Sequence, residues 1–217
     1  VILKTLAAPQ PARLLVIGDR AVFEDTARRL RLRLPRWPVA FSDGIERALK
    51  TGRRVIFVDV PACGRFTPGC SGPEAGAASL AALDRAVALA RRGLIQGMVT
   101  GPITKWAIQR TRPAFVGQTE HLAAAFGVRN VAMMFASDRL RVVVLTRHVP
   151  LAEVSKRLTS ALVRATARLV AEALRRQFGI RAPRLAVCGI NPHAGEAGAF
   201  GSEERRVLEP AIVRLRR

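Results

Sequence analysis

The chain has 217 residues and a formal net charge of +20, and 49% of its residues are hydrophobic, which excludes an intrinsically disordered protein. The basic residues are mostly Arg and are spread along the chain, and aromatic residues make up 5% with no Tyr, so we expect no specific nucleic-acid partner. No apolar run approaches the ~20 residues of a membrane helix and the first residues lack the pattern of a signal peptide, so we expect no membrane partner and a cytoplasmic location.

Short β-branched runs alternate with helical patterns along the chain. The predicted strands cover 13–19, 53–60, 95–101, 131–136, 140–146 and 183–190. The predicted helices cover 21–34, 77–93 and 151–179, and another begins within 102–110. Helices that separate strands in this rhythm predict an α/β protein with a mostly parallel sheet.

The cysteines are Cys63, Cys70 and Cys188, an odd number without a CxxC pair. This pattern supports neither a disulfide framework nor a zinc knuckle. Cys63 and Cys70 flank a short loop and could pair, but the expectation is idle thiols in a reducing compartment.

His148 and His193, two of the three histidines, come just after predicted strands. Functional residues of α/β proteins collect in the loops at the carboxyl ends of strands. Imidazole is a common ligand of divalent transition metals, and Pro150 and Pro192 would stiffen the two loops. Two histidines are fewer than the three protein ligands of a usual catalytic zinc site. The sequence leaves metal binding and a simple hydrogen bond to the backbone both open.

Three further stretches contain candidate binding residues. The turn 98–105 ends in Lys105 at a helix start, which suits an anion or is an ordinary strand-to-helix connection. Gln118 and Thr119 open another helix, where they either cap it or hold a ligand oxygen. His121, inside that helix, is expected at the surface or in packing.

The loop 191–204 is the strongest functional indication in the chain. It combines several glycines with Asn191, His193 and Glu196 and is followed by an acidic helix start. Such a density of polar groups and glycines is unusual for a plain connection.

The motifs VTGPITK, GQTEHLA, LTRHVPL and VCGINPHAGEAGAFGSEE, in this order, resemble the 4-hydroxythreonine-4-phosphate dehydrogenase family of pyridoxal phosphate (vitamin B6) biosynthesis. The resemblance implies an α/β/α sandwich of the isocitrate/isopropylmalate dehydrogenase type with two lobes, here 1–122 and 123–217. It also implies a homodimer with sites between subunits. The implied enzyme uses NAD and a divalent metal (Zn, Mg or Co). It oxidises and decarboxylates 4-(phosphooxy)-L-threonine, a small phosphorylated hydroxy acid, to 3-amino-2-oxopropyl phosphate.

The resemblance also implies roles for four residues. His148 and His193 match two of the family's three metal-binding histidines, and Thr119 matches a residue that contacts substrate. Gln118 stands where the family has a histidine in GHTE, and it carries no positive charge. A threonate or erythronate phosphate or a cyclic diol is therefore an alternative substrate. No general base and no NAD-binding residue is assigned.

Both ends of the chain differ from the family pattern. The stretch 1–7 resembles the segment directly after a GDPAGIGPE-like opening, and the family continues beyond 208–217 for roughly a third more of its length, including the third histidine. We therefore expect a chain truncated at both ends, with weak metal binding and poor turnover. An inactive fragment and a basic nucleic-acid-binding domain are the remaining alternatives.

Overall fold

The structure is a computed structural model that describes residues 2–6, 8, 10, 12–33, 37–40, 44–62, 64, 67 and 69–216. It divides into two compact units, Val1–Phe126 and Gly127–Arg217. The predicted lobe boundary between residues 122 and 123 would fall inside the helix Gln118–Ala125. The assignment of the two units to lobes of the family fold stays a prediction.

The first unit is built around three parallel strands. Its elements are α1 (Ile2–Leu6), β1 (Leu14–Gly18), α2 (Arg20–Arg29), β2 (Val39–Ala40), α3 (Ile45–Lys50), β3 (Val55–Asp59), α4 (Pro73–Arg91), α5 (Lys105–Gln109) and α6 (Gln118–Ala125). The strand order is β1-β3-β2, with Val16 and Val39 both in register with Phe57. The predicted parallel pairing is confirmed for this sheet.

Alternate residues of β3 face opposite sides of the sheet. Ile56 and Val58 are fully buried in a cluster with Ile45 and Leu89, from α3 and α4. Phe57 lies on the other face, where the ring of Trp37 stacks on it with 6.4 Å between centroids. The central strand is therefore buried on both faces, as expected for a parallel sheet covered by helices.

Helix α4 confirms the apolar periodicity that predicted it. Leu80, Leu83 and Val87 are buried along one side. The helix begins four residues before the predicted start, because Pro73 occupies its first turn, where no backbone N–H donor is needed. Helix α2, by contrast, ends at Arg29 instead of continuing to residue 34, and Arg31 beyond it has a positive φ of 53°.

The second unit combines a hairpin with helices. Its elements are β4 (Met133–Ala136), β5 (Arg141–Val144), a 3₁₀ turn (Leu151–Glu153), α7 (Val154–Arg157), α8 (Ser160–Arg176), a 3₁₀ turn (Glu196–Gly198), a π-helical turn (Glu204–Leu208) and α9 (Glu209–Arg216). Strands β4 and β5 pair antiparallel, so this part departs from the parallel pattern. None of the described helices of either unit has the length and apolar character needed to cross a lipid bilayer.

The predicted helix 151–179 is interrupted at Leu158 and Thr159. The Thr159 hydroxyl accepts a hydrogen bond of 3.1 Å from the Leu162 N–H and thereby caps α8. Leu158 turns inward and is buried against Val163 and Leu208. The helical prediction was wrong at this point because a side-chain cap and an inward leucine outweigh the periodicity.

Two predicted strands, 95–101 and 183–190, are not strands in the described part of the chain. Val99 is fully exposed, and Leu185 and Val187 are exposed as well. A β-branched run becomes a strand only where a neighbouring strand pairs with its backbone groups, and no described strand pairs with either segment. Of the motif loops, only the one carrying His148 comes after an observed strand.

Candidate functional site

His148 lies on the loop after β5, and its side chain is exposed. Its backbone has a φ of 53°, a value that few residues with a Cβ adopt. Among the described residues, no hydrogen bond or ion pair involves its ring. Both ring nitrogens are therefore available, so the interpretation of His148 as a residue bonded to nearby backbone receives no support.

Asn191 organises the loop that carries His193. Its Oδ1 accepts hydrogen bonds from the backbone N–H groups of His193 at 3.0 Å and Gly195 at 3.4 Å. Its Nδ2 donates to the carbonyl of Phe200 at 3.1 Å, across the loop. A short side chain that satisfies its own loop in this way is typical of asparagine in tight turns.

The four residues that follow His193 all have a left-handed backbone conformation. The φ values are 47° at Ala194, 79° at Gly195, 40° at Glu196 and 54° at Ala197. Each residue with a Cβ costs roughly 1–2 kcal/mol in this conformation. Strain of this kind is concentrated at functional sites, where the surrounding structure enforces it.

The His193 ring has two neighbours inside its own loop. Nδ1 lies 3.3 Å from Oε2 of Glu196, and the ring stacks on Phe200 with 4.7 Å between centroids and 22° between planes. About 60% of the histidine side chain is exposed. Nε2 has no partner among the described residues and is free to bind a ligand.

Glu204 secures the base of the same loop. Its Oε1 accepts a 2.8 Å hydrogen bond from the Ile190 N–H, and its Oε2 is buried without a hydrogen-bond partner. A Cβ on Gly195 would lie 2.8 Å from that oxygen, so a larger residue there would have to displace the carboxylate. Sequence reasoning missed Glu204 and Phe200, although the acidic helix start after the loop pointed to the first of them.

The neighbouring Glu203 is a half-buried carboxylate close to Ser155 of helix α7. A hydrogen bond from its own backbone N–H, together with a smaller effect of one from the Ser155 side chain, lowers the pKa of Glu203 from its ordinary value. These bonds favour the charged form at the start of the π-helical turn.

Gln118 and Thr119 lie in the first unit, at the start of α6. Gly117 occupies the cap position, and no side chain caps the helix, so the capping interpretation was wrong. Instead, Gln118 Oε1 accepts a 3.2 Å hydrogen bond from the Thr100 hydroxyl, and its Nε2 donates to the Gly101 carbonyl at 3.3 Å. This bridge joins the VTGPITK and GQTEHLA motifs. Their contact with a substrate stays a prediction.

Lys105 is exposed at the start of α5 and forms no ion pair with the residues that the structure describes. His121 is hydrogen-bonded to Asp84 Oδ1 at 2.7 Å and packs on the ring of Phe115. The expectation that His121 has a packing role is confirmed.

Cys70 and Cys188 are exposed free thiols, and Cys63 lies outside the described residues. No group of three His, Cys, Asp or Glu side chains among the described residues is placed to hold one metal ion. The two imidazoles of the second unit are donors that fit part of a divalent-metal site.

The strain at Ala194 leads to a stability prediction. Changing Ala194→Gly is expected to raise the free energy of unfolding by about 0.5–1 kcal/mol, because the relief at a positive φ exceeds the entropy cost of glycine. Amide hydrogen exchange over 190–201 measures it. Ala199→Gly is the control, since Ala199 has a φ of −62° and should lose stability. Equal losses for both variants would contradict the strain.

A parallel sheet covered by helices, and a second unit whose polar loops carry histidines with free ring nitrogens, define an α/β protein. The model of the family described as pyridoxal phosphate biosynthetic protein PdxA matches residues 10–217. The chain belongs to this family, and it has the α/β fold of the isocitrate/isopropylmalate dehydrogenase type.

The known proteins that are similar to this chain are longer than it is. A 4-hydroxythreonine-4-phosphate dehydrogenase of Erythrobacter litoralis is 47% identical over 154 residues, which are 70% of this chain and 46% of that protein. The crystal structure of such an enzyme from Klebsiella pneumoniae has a TM-score of 0.82 and 28% identity, covering 99% of this chain and 65% of that chain. A terephthalate 1,2-cis-dihydrodiol dehydrogenase from Burkholderia xenovorans has a TM-score of 0.55 and 29% identity, covering 93% and 61%. The chain therefore spans less than two thirds of each of these proteins.

Proposed function

We propose that this chain supplies the metal-binding histidines of an NAD- and divalent-metal-dependent dehydrogenase that acts on 4-(phosphooxy)-L-threonine in pyridoxal phosphate biosynthesis. The proposal is supported by the backbone conformation and the free ring nitrogens of the two histidines that match the family motifs. His148 and His193 both lie on loops with strained backbone, and both keep a ring nitrogen without a partner among the described residues. Available imidazole on an enforced loop is what a metal ligand requires.

The proposed reaction oxidises the substrate's secondary hydroxyl to a ketone. The hydroxyl hydrogen leaves as a proton and the carbon-bound hydrogen passes as hydride to NAD, after which the β-keto acid loses carbon dioxide. A divalent cation (Zn, Mg or Co), when bound, lowers the pKa of the hydroxyl and stabilises the negative charge that develops on oxygen. His148 and His193 are the residues that would hold the cation through their ring nitrogens.

Substrate contact is assigned to Gln118 and Thr119. The support is the match to the family motif together with the fixed position of Gln118, whose amide bridges Thr100 and Gly101. Thr119 is half-buried, and its hydroxyl can both donate a hydrogen bond to a substrate oxygen and accept one from a substrate hydroxyl.

Formation of NADH by a protein of full family length that contains this chain tests the proposal. With 4-(phosphooxy)-L-threonine and Mg²⁺, Zn²⁺ or Co²⁺, we expect NADH to form, and we expect a chelator to abolish it. The 217-residue chain alone should be much slower. Absence of metal-dependent NADH formation by the longer protein, with this substrate and with the alternatives, would refute the proposed function.

A cyclic cis-diol is the second candidate substrate. It is favoured by Gln118, which cannot carry a positive charge towards a phosphate, and by the similarity to the dihydrodiol dehydrogenase. The same assay with a cis-dihydrodiol, threonate phosphate and erythronate phosphate separates the candidates. A kcat/KM higher for the diol than for phosphorylated threonine would reverse the preference proposed here.

We also propose an oligomeric state and a cellular location for the protein. A homodimer in the cytoplasm, acting on a small molecule and with no specific nucleic-acid or membrane partner, fits the family resemblance and the scattered positive charge. The charge of +20 predicts loose attraction to nucleic acid that disappears by roughly 200 mM salt.

A further inference from the structure

The carboxylate of Glu196 stands beside one nitrogen of His193 and leaves the other free. Nδ1 of His193 lies 3.3 Å from Oε2 of Glu196. We propose that Glu196 is a positioning residue. Its carboxylate, 3.3 Å from Nδ1, favours the tautomer of His193 that is protonated at Nδ1, so that Nε2 carries the lone pair offered to a metal. The inference rests on the proposed metal-binding role of His193.

The backbone is built to bring these two side chains together. The Glu196 N–H donates to the His193 carbonyl at 3.0 Å, and the two residues between them have φ values of 47° and 79°. Positive φ at both central positions is the signature of a type I′ turn, which returns the chain on itself. Ala194 adopts this conformation at a steric cost, so the closeness of His193 and Glu196 is enforced by the fold.

The surroundings of the turn hold it in this shape. Asn191 accepts from the N–H groups of His193 and Gly195. Buried Oε2 of Glu204 lies 2.8 Å from the position that a Cβ on Gly195 would take. The turn is therefore fixed from both sides, and the strain at its centre is balanced by these contacts.

Phe200 fixes the plane of the imidazole, but it does not determine which ring nitrogen faces Glu196. With the ring stacked at 4.7 Å, a rotation by half a turn would exchange the sides on which the nitrogens lie. A neutral imidazole has one N–H and one lone pair, and a carboxylate only accepts hydrogen bonds. The Glu196 carboxylate therefore selects both the ring orientation and the tautomer. A carboxylate on the far nitrogen also makes a histidine ligand more basic.

The tautomer of His193 can be measured without any metal. Histidine-labelled protein, held at a pH where the ring is neutral, is studied by long-range ¹H–¹⁵N NMR. We expect His193 to be mainly protonated at Nδ1 in the unaltered chain and in Glu196→Gln, whose amide oxygen still accepts. We expect Glu196→Ala to shift it towards Nε2–H. Glu203→Ala is the matched control and should change nothing at His193.

Two results would overturn the positioning role. One is a His193 protonated mainly at Nε2 in the unaltered chain, and the other is an unchanged tautomer in Glu196→Ala. Backbone ¹H–¹⁵N spectra of each variant report whether the loop is still folded. If Glu196→Ala unfolds the loop, the His193 tautomer in the unaltered chain and in Glu196→Gln decides whether Glu196 positions the ring.

Titration with Co²⁺ alone separates this inference from the proposed function. We expect Glu196→Ala to weaken Co²⁺ binding about 10- to 100-fold and Glu196→Gln to weaken it less. In a His193→Ala background, the change at Glu196 should have no further effect. Co²⁺ binding that His193→Ala leaves intact would refute the metal-binding role, whereas the tautomer result would still decide what Glu196 does.

Discussion

Replacing His193 or His148 with alanine is expected to lower metal-supported NADH formation at least about 100-fold in a protein of full family length that contains this chain. Each replacement removes one of the two available imidazoles of the second unit, and a metal site deprived of a ligand loses both affinity and geometry. The measurement is the initial rate of NADH formation at saturating substrate over a range of metal concentrations. The loss should be only partly restored by excess metal.

The third histidine provides a matched control for this experiment. His121 is hydrogen-bonded to Asp84 and packs on Phe115, so His121→Ala should affect stability and leave the metal dependence of the rate unchanged. Unchanged activity in both His148→Ala and His193→Ala would remove the central support of the proposed function. Loss in all three variants with equal loss of folded protein would show that the rates report stability alone.

The parts of the fold that the sequence predicted are those in which one pattern decides the outcome. In α4, the apolar spacing of Leu80, Leu83 and Val87 leaves only one face to bury. In β3, a short, continuous and β-branched apolar run between polar ends is typical of a strand buried on both faces. The local pattern of apolar residues was sufficient to predict these two elements, because the side chains that it marks as apolar are the ones that pack in the core.

The parts that failed depend on partners far away in the chain. The segment 183–190 has a strand's composition, yet its backbone pairs with no described strand and Leu185 is exposed. The break at Leu158 likewise depends on a cluster that includes Leu208, about fifty residues later. A periodicity read from neighbouring residues contains no information about such contacts.

The candidate site was predicted in its residue types and missed in its geometry. Asn191, His193 and Glu196 were recognised as a polar, glycine-rich loop, and they do contact one another within that loop. The left-handed conformation of Ala194 could not be foreseen, since alanine has no preference for it. It is enforced by tertiary contacts such as the buried carboxylate of Glu204, which the sequence indicated only as an acidic residue.

Gly76→Ala is expected to destabilise the first unit by about 2–3 kcal/mol, which is the largest effect on stability that we predict. Helices α4 and α5 cross at this glycine. A Cβ there would meet the carbonyl of Ala107 and lie 2.6 Å from the backbone nitrogen of Ile108. Because these are backbone atoms, no side-chain rotation can relieve the clash and α5 must move. In an unobstructed helix the same change would stabilise by up to about 1 kcal/mol.

Urea unfolding followed by tryptophan fluorescence measures this effect, because Trp37 and Trp106 both lie in the first unit. Gly97→Ala is the matched control, since a Cβ at Gly97 would meet nothing within 4 Å, and its midpoint should stay close to that of the unaltered chain. Helix α5 begins at Lys105, so its displacement should also change the exposure of Trp106 in the folded state. A Gly76→Ala variant as stable as Gly97→Ala would mean that the two helices do not approach so closely.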